Sequence, residues 1–229
     1  MTKIIVPIMP KSLSDISQLK EKDFEGADII EWRADYIEFP KKIIELAPAI
    51  FEKLAGFDIM FTLRTSKEGG KIEIKESNYI KLLTKMASYA PSYIDIEYFS
   101  YPDALSSIRK KVDKSTKIVL SHHDFTKIPD DAGKKIEKML AENVDTVKFA
   151  GMPKSKLDVL NLMTLNRRLV DKFKDRNIVT VAMGTMGELS RISGSLSGSA
   201  WTFAALREDM KSSPGQLTLH QIKKIFKNL

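Results

Sequence analysis

The 229-residue chain has no cysteine, only three histidines and no long apolar run. Without cysteine there is no disulfide framework, no thiolate nucleophile and no thiolate metal site, and the composition fits a reducing compartment. Three histidines leave few choices for imidazole chemistry. No segment approaches the ~18 apolar residues of a membrane span. The opening MTKIIVPIMP is broken by Pro7 and Pro10 before a secretory apolar core can form. These absences predict a soluble, cytoplasmic protein with no membrane partner. Eleven glycines and nine prolines are ordinary and exclude low-complexity chains. Apolar residues make up 43%, enough to fill a sizeable core.

Lys and Arg number 37 against 30 Asp and Glu, a formal charge of +7. The basic residues sit in KKIIE, KKIEK and IKKIFK, amphipathic stretches that read as solvated helix faces. No stripe interleaves aromatics with basic residues, so no nucleic-acid partner is expected. A mild positive field suits a small anionic carboxylate substrate.

Short apolar runs alternate with longer amphipathic ones. The predicted strands cover 3–9, 27–33, 58–64, 93–99, 116–122, 145–151, 178–184 and 199–204. Between them lie helix-period segments, one opened by a Ser155 cap and the last being HQIKKIFKNL. Strand-then-helix, repeated eight times, predicts an α/β protein: a single (β/α)8 TIM-type barrel spanning 1–229 as one domain. An open doubly wound sheet is the alternative, because periodicity does not establish closure.

Strands of a parallel sheet are covered on both faces and normally read as continuous apolar runs. Here charge appears near their C-terminal ends, at Glu31 and Arg33, Arg64, Asp95 and Glu97, His123 and Lys148. In a barrel those ends form the active-site rim. Strand alternation puts Lys148 opposite Val147 and Phe149, hence into the barrel if those two pack under helices. A lysine there is a candidate carbonyl nucleophile or one half of a buried ion pair. At an unperturbed pKa of ~10.4, only about four lysines in ten thousand are neutral at pH 7. A cation about 6 Å away would lower that pKa by about 2. Arg64 or Arg191 is the expected source.

His123 is expected to need no such tuning, since an unperturbed imidazole already exchanges protons near neutrality. Glu68, in the loop SKEGGK, is placed to orient it and to hold its protonated form. His122 has the opposite strand phase, so the adjacent histidines do not share a metal ion, and no catalytic metal is predicted. His220 reads as a surface residue. The stretch 183–201 reads as a long Gly/Ser loop, with Arg191 as an anion clamp able to bind a carboxylate by two parallel bonds. SSPGQ at 212–216 is a tight turn.

EWRAD (31–35), FTLRTSKEGG (61–70), SHHDF (121–125), VKFAGMP (147–153), MGTMGELSRISG (183–194), GSAWTFA (198–204) and SSPGQ (212–216) together resemble the type I 3-dehydroquinate dehydratases. The likeness runs nearly the whole chain. It implies dehydration of 3-dehydroquinate to 3-dehydroshikimate, the third step of the shikimate pathway towards aromatic amino acids. Lys148 then matches the Schiff-base lysine, His123 the general acid/base and Glu68 its carboxylate partner. Glu31, Arg33, Arg64, Arg191, Ser212 and Gln216 match substrate-binding positions. The resemblance further implies a (β/α)8 barrel, often a homodimer, working without metal or organic cofactor. Pro7 departs from relatives that present a hydroxyl from the first strand, so no first-strand contact to substrate is expected. The alternatives are another Schiff-base barrel lyase, an aldolase of a phosphorylated sugar, and a catalytically silent barrel that binds a small anion.

Overall fold

The computed structural model describes residues 2–228. The first half of the chain runs β1 (Lys3–Ile8), α1 (Leu13–Gln18), β2 (Ile29–Arg33), α2 (Pro40–Lys53), β3 (Ile59–Thr62), α3 (Glu76–Ala87), β4 (Tyr93–Glu97) and α4 (Ala104–Arg109). The second half runs β5 (Lys117–Asp124), α5 (Ala132–Ala141), β6 (Thr146–Gly151), α6 (Lys156–Lys172), β7 (Asn177–Ala182), α7 (Glu188–Ile192), α8 (Gly194–Ser197), β8 (Trp201–Phe203) and α9 (Leu219–Phe226). All eight expected strands are present, and their ladders are parallel in the order β7-β6-β5-β4-β3-β2-β1-β8. The ring completes between β7 and β8 through backbone bonding of Ala200 N to Ile178 O (2.9 Å). Thr180 N adds a bond to Ser199 Oγ (3.3 Å). The open-sheet alternative is thereby set aside. No helix among the described residues is long and apolar enough to cross a membrane.

Strand alternation divides the apolar residues into two layers. Trp32, Phe61, Ile94, Leu120, Val147 and Phe149 face outward and pack with helix residues such as Ile43, Leu83, Ile136 and Leu162. Each such burial contributes about 1.5–3 kcal/mol of transfer free energy. The helices meet them with one apolar face: in α5, Ile136, Met139 and Leu140 are buried while Lys134 and Lys138 are exposed. α6 opens on the expected Ser155, whose Oγ accepts from Asp158 N in a capping box.

The second layer fills the bore. Ile5, Ile29, Met60, Tyr93, Val119, Val179 and Trp201 plug its lower part, with Tyr93 and Trp201 edge to face at 5.3 Å. Above this plug the inward positions turn polar: Glu31, Thr62, Asp95, Ser121 and Lys148 are all buried. The apolar plug is continuous beneath them, so these groups open only toward the C-terminal mouth. One expectation is corrected here. The stretch 183–201 is largely helical, because Ser190 Oγ bonds both Ala182 N and Gly187 O and folds the segment onto the end of β7.

Candidate active site

Lys148 lies in mid-β6 between outward-facing Val147 and Phe149, and its amine points into the bore. It is 6% exposed, and its Nζ stands 4.5 Å from the centre of the Phe203 ring. The nearest charged atoms are Asp95 Oδ2 at 3.5 Å and Glu31 Oε1 at 3.7 Å. Its direct neighbours are thus carboxylates, as in the buried ion pair the sequence left open, while Arg64 and Arg191 line the same pocket. The guanidinium of Arg64 stands one step further out and is itself engaged. Arg64 Nη2 donates to Asp95 Oδ1 (2.6 Å), and Nη1 contacts Ser121 Oγ (2.9 Å), Glu97 Oε1 (3.1 Å) and Glu68 Oε2 (3.4 Å). Burial opposes its charge, but Asp95, Glu97 and Glu68 more than compensate and raise its pKa further.

Glu68 reaches this cluster because the chain turns back on itself after β3. Ser66–Glu68 forms one turn of 3-10 helix, and Gly69 leaves it with φ 78°, a left-handed conformation that favours glycine. A Cβ on the adjacent Gly70 would sit 1.9 Å from Arg64 O, so the turn requires glycine there too. Glu68 Oε2 then accepts from His123 N and meets His123 Nδ1, each at 3.0 Å. Glu68 Oε1 accepts from Ser100 Oγ (2.9 Å) and lies 3.4 Å from His122 Nδ1. Burial favours protonation of Glu68, but the histidine bonds and the Arg64 charge overcome it and hold the carboxyl well below the usual range. The two histidines thus share a carboxylate. His122 packs against Phe99 and Phe149, while His123 lines the pocket.

The expectation that His123 needs no tuning is also corrected. Burial first, then the Arg64 and Lys148 charges, push its pKa down to about 3 despite Glu68. The resting imidazole is neutral. With Glu68 ionised, Nδ1 carries the proton and donates it, which leaves the Nε2 lone pair free. That is the form of a general base.

The opposite wall comes from the connections after β7 and β8. Arg191 is 2% exposed, and its Nη2 donates to Ser213 Oγ (3.2 Å) and Pro214 O (3.0 Å). Burial lowers its pKa to about 10, with Glu188 opposing only in part. Gln216 is 1% exposed; its Oε1 accepts from Ser212 N (2.8 Å) and Ser212 Oγ (3.2 Å). Arg191 Nε and Gln216 Nε2 are buried with no partner among the described residues. Each such orphan donor costs about 1–3 kcal/mol, and of these two residues Arg191 lines the pocket.

One pocket brings together Glu31, Arg33, Arg64, Glu68, His123, Lys148, Arg191 and Ser212. Gln216 stands behind Ser212 rather than on the pocket surface. Arg33 is clamped to Asp35 by two bonds of 2.7 and 2.8 Å, and Glu31 Oε1 accepts from Thr62 Oγ1 at 2.8 Å. His220 is exposed, as expected. Sequence reasoning missed the apolar wall of Ala150, Val181, Met183 and Phe203, the rim residue Phe125, and Ser213. It noted the charges of Asp95 and Glu97 but assigned them no part; their shared strand phase was the available signal.

Curated proteins and solved structures similar to this chain include 3-dehydroquinate dehydratases. A 3-dehydroquinate dehydratase of Streptococcus thermophilus is 44% identical over 224 residues, 97% of this chain and 96% of its own length. One from Lactococcus lactis is 41% identical over 225 residues, 98% and 96% of the two chains. A crystal structure of a type I 3-dehydroquinate dehydratase from Clostridium difficile, with covalently modified comenic acid, superposes with a TM-score of 0.87 at 30% identity. It covers 99% of this chain and 92% of its own. The family profile described as type I 3-dehydroquinase matches residues 4–229, and this chain belongs to that family.

Proposed function

We propose that this chain dehydrates 3-dehydroquinate to 3-dehydroshikimate in the shikimate pathway, through a Schiff base on Lys148. The carrying observation is that the Lys148 amine and the His123 imidazole line one buried pocket whose far wall bears Arg191. The family assignment removes support from the phosphosugar aldolase alternative.

The amine of Lys148 adds to the ring ketone, and loss of water leaves an iminium. The iminium acidifies the adjacent C–H, because the electron pair released there flows to nitrogen as an enamine. His123 Nε2 takes that proton and returns it to the departing β-hydroxyl, so one imidazole is base and then acid. Water releases the enone and regenerates the lysine. Glu68 fixes the imidazole tautomer throughout. Arg191 and Ser212 hold the substrate carboxylate from the pocket wall, and Gln216 fixes Ser212 from behind. Glu31, Arg33 and Arg64 orient ring hydroxyls and shape the local field.

Borohydride added with substrate tests the reading. One reduced adduct at Lys148 is expected, together with enone absorbance in its absence. An active preparation that yields no adduct would remove the Schiff base.

A homodimer in the cytoplasm is the accompanying proposal. Leu157 and Leu160 on α6, Met186, Leu189 on α7 and Leu196 on α8 are exposed apolar residues on elements that touch one another. Sedimentation at micromolar concentration is expected to give twice the 25.9 kDa chain mass. A monomer at that concentration removes the dimer.

A further inference from the structure

Two carboxylates flank the Lys148 amine, and their surroundings differ. Glu31 lines the pocket, on the side from which substrate arrives. Asp95 does not. It lies on β4 beneath the amine, is 1% exposed, and is enclosed by Arg64, Ser121 and Lys148. Its two oxygens have separate partners. Oδ1 accepts from Arg64 Nη2 (2.6 Å) and Ser121 Oγ (2.7 Å), and Oδ2 faces only Lys148 Nζ (3.5 Å) among the described residues. The first two bonds leave the carboxylate no freedom to turn. A buried carboxylate so held presents one oxygen, with a fixed charge, to the atom where a Schiff base would form.

Resting on the proposed Schiff base, we infer that Asp95 is the counter-ion that keeps the Lys148 imine protonated. A ketone and an alkylammonium condense to a protonated imine and one water; no charge is gained or lost. The nitrogen keeps one N–H and its positive charge, and Asp95 Oδ2 is the acceptor already placed beneath it. Protonation matters because only the cationic imine draws the electron pair from the neighbouring carbon efficiently. When His123 removes the carbon-bound proton, nitrogen becomes neutral in the enamine. Expulsion of hydroxide, protonated by the imidazolium, restores the cation. Asp95 therefore faces a positive nitrogen on both sides of the enamine.

The other ionisable groups around this nitrogen are Glu31 on β2, Arg64 after β3, and the neutral imidazole of His123 on β5. Glu31 lines the pocket, and its Oε1, the oxygen nearest Lys148, already accepts from Thr62, while Arg64 is spent on Asp95 and its neighbours. Asp95 alone is both adjacent to the nitrogen and shielded from the ligand. Burial favours a protonated Asp95, but the Arg64 and Lys148 charges and the Ser121 hydrogen bond hold it ionised and below the usual carboxylate range.

The test uses cyanoborohydride, which reduces cationic imines far faster than neutral ones. Enzyme equilibrated with 3-dehydroshikimate is trapped at a series of pH values, and the adduct is counted by intact mass. The parent enzyme should trap efficiently until an alkaline limb. Asp95→Asn should move that limb down by about one to two pH units and lower kcat far more than it changes KM. Glu31→Gln should move it by less than half as much. A structural defect would reduce trapping equally at every pH without moving the limb. An Asp95→Asn limb that coincides with the parent's overturns the assignment. Should Asp95→Asn fail to fold, Glu31→Gln decides: a fall of more than one pH unit makes Glu31 the counter-ion and overturns the proposal, and a smaller fall supports it. Absence of any adduct in the parent enzyme would instead refute the Schiff base itself.

Discussion

The two walls of the pocket are built on different principles. The wall carried by β2 to β6 spends its charges internally: Arg64 binds Asp95, Glu97 and Glu68, Lys148 stands between Asp95 and Glu31, and Glu68 clamps His123. The wall carried by the connections after β7 and β8 leaves donors unspent, at Arg191 Nε and Gln216 Nε2. Chemistry at a ketone needs groups held within a fraction of an ångström, which strands provide. Capture of a carboxylate needs donors whose partner arrives with the ligand. The difference teaches that preorganisation here is local: rigid where bonds are made, incomplete where substrate supplies the missing acceptor.

Substitutions on the strand wall should therefore damage turnover, and those on the loop wall should damage binding. The largest effect is expected for Lys148→Met, which should abolish borohydride trapping and cost about five decades or more in kcat, as loss of a covalent nucleophile does. His123→Ala should cost about two to four decades in kcat while leaving the adduct detectable by mass. Unchanged turnover would take His123 out of its role. Arg191→Ala should raise KM about 10- to 100-fold, from loss of charged hydrogen bonds, with a smaller change in kcat. If instead kcat collapses and KM stands still, the division between the walls fails.

Much of this arrangement is legible in residue order. Strand phase alone puts Lys148 opposite Val147 and Phe149, and the structure packs those two under helices. Charge at strand ends locates the mouth. What is not legible is pairing. Asp95 is 53 positions from Lys148, and Arg64 is 57 from Ser121, so no local pattern records which charges meet. The state of His123 is hidden for the same reason: its depressed pKa arises from burial and from cations on other strands. The helical fold of 183–201 is obscured by Gly and Ser, whose propensities speak against it. Contacts of Ser190 with Ala182 and Gly187 override them.

The smallest expected effect separates the walls by pH. His123 has a folded pKa of about 3, below the ~6.5 of an unfolded histidine. Between these values the unfolded chain binds a proton that the folded one does not, so His123 makes stability fall as pH drops below ~6.5. At pH 5.5, one unit into that window, the loss is about 1 kcal/mol, or about 2–4 °C in Tm for a chain of this size. Glu97 titrates in the same window with opposite sign. Burial is the main cause that pushes it up to about 7, with Glu68 adding to it against Arg64 and Thr65, and its protonated form favours the fold at lower pH. The informative quantity is therefore the difference between variant and parent. His123→Asn should lose less Tm than the parent between pH 7 and pH 5.5, by those few degrees. Arg191→Gln should track the parent across the same range, since Arg191 stays charged throughout it. Equal slopes in His123→Asn and the parent would mean that the imidazole is already free to take a proton at rest, and that the strand wall holds it less tightly than its geometry indicates.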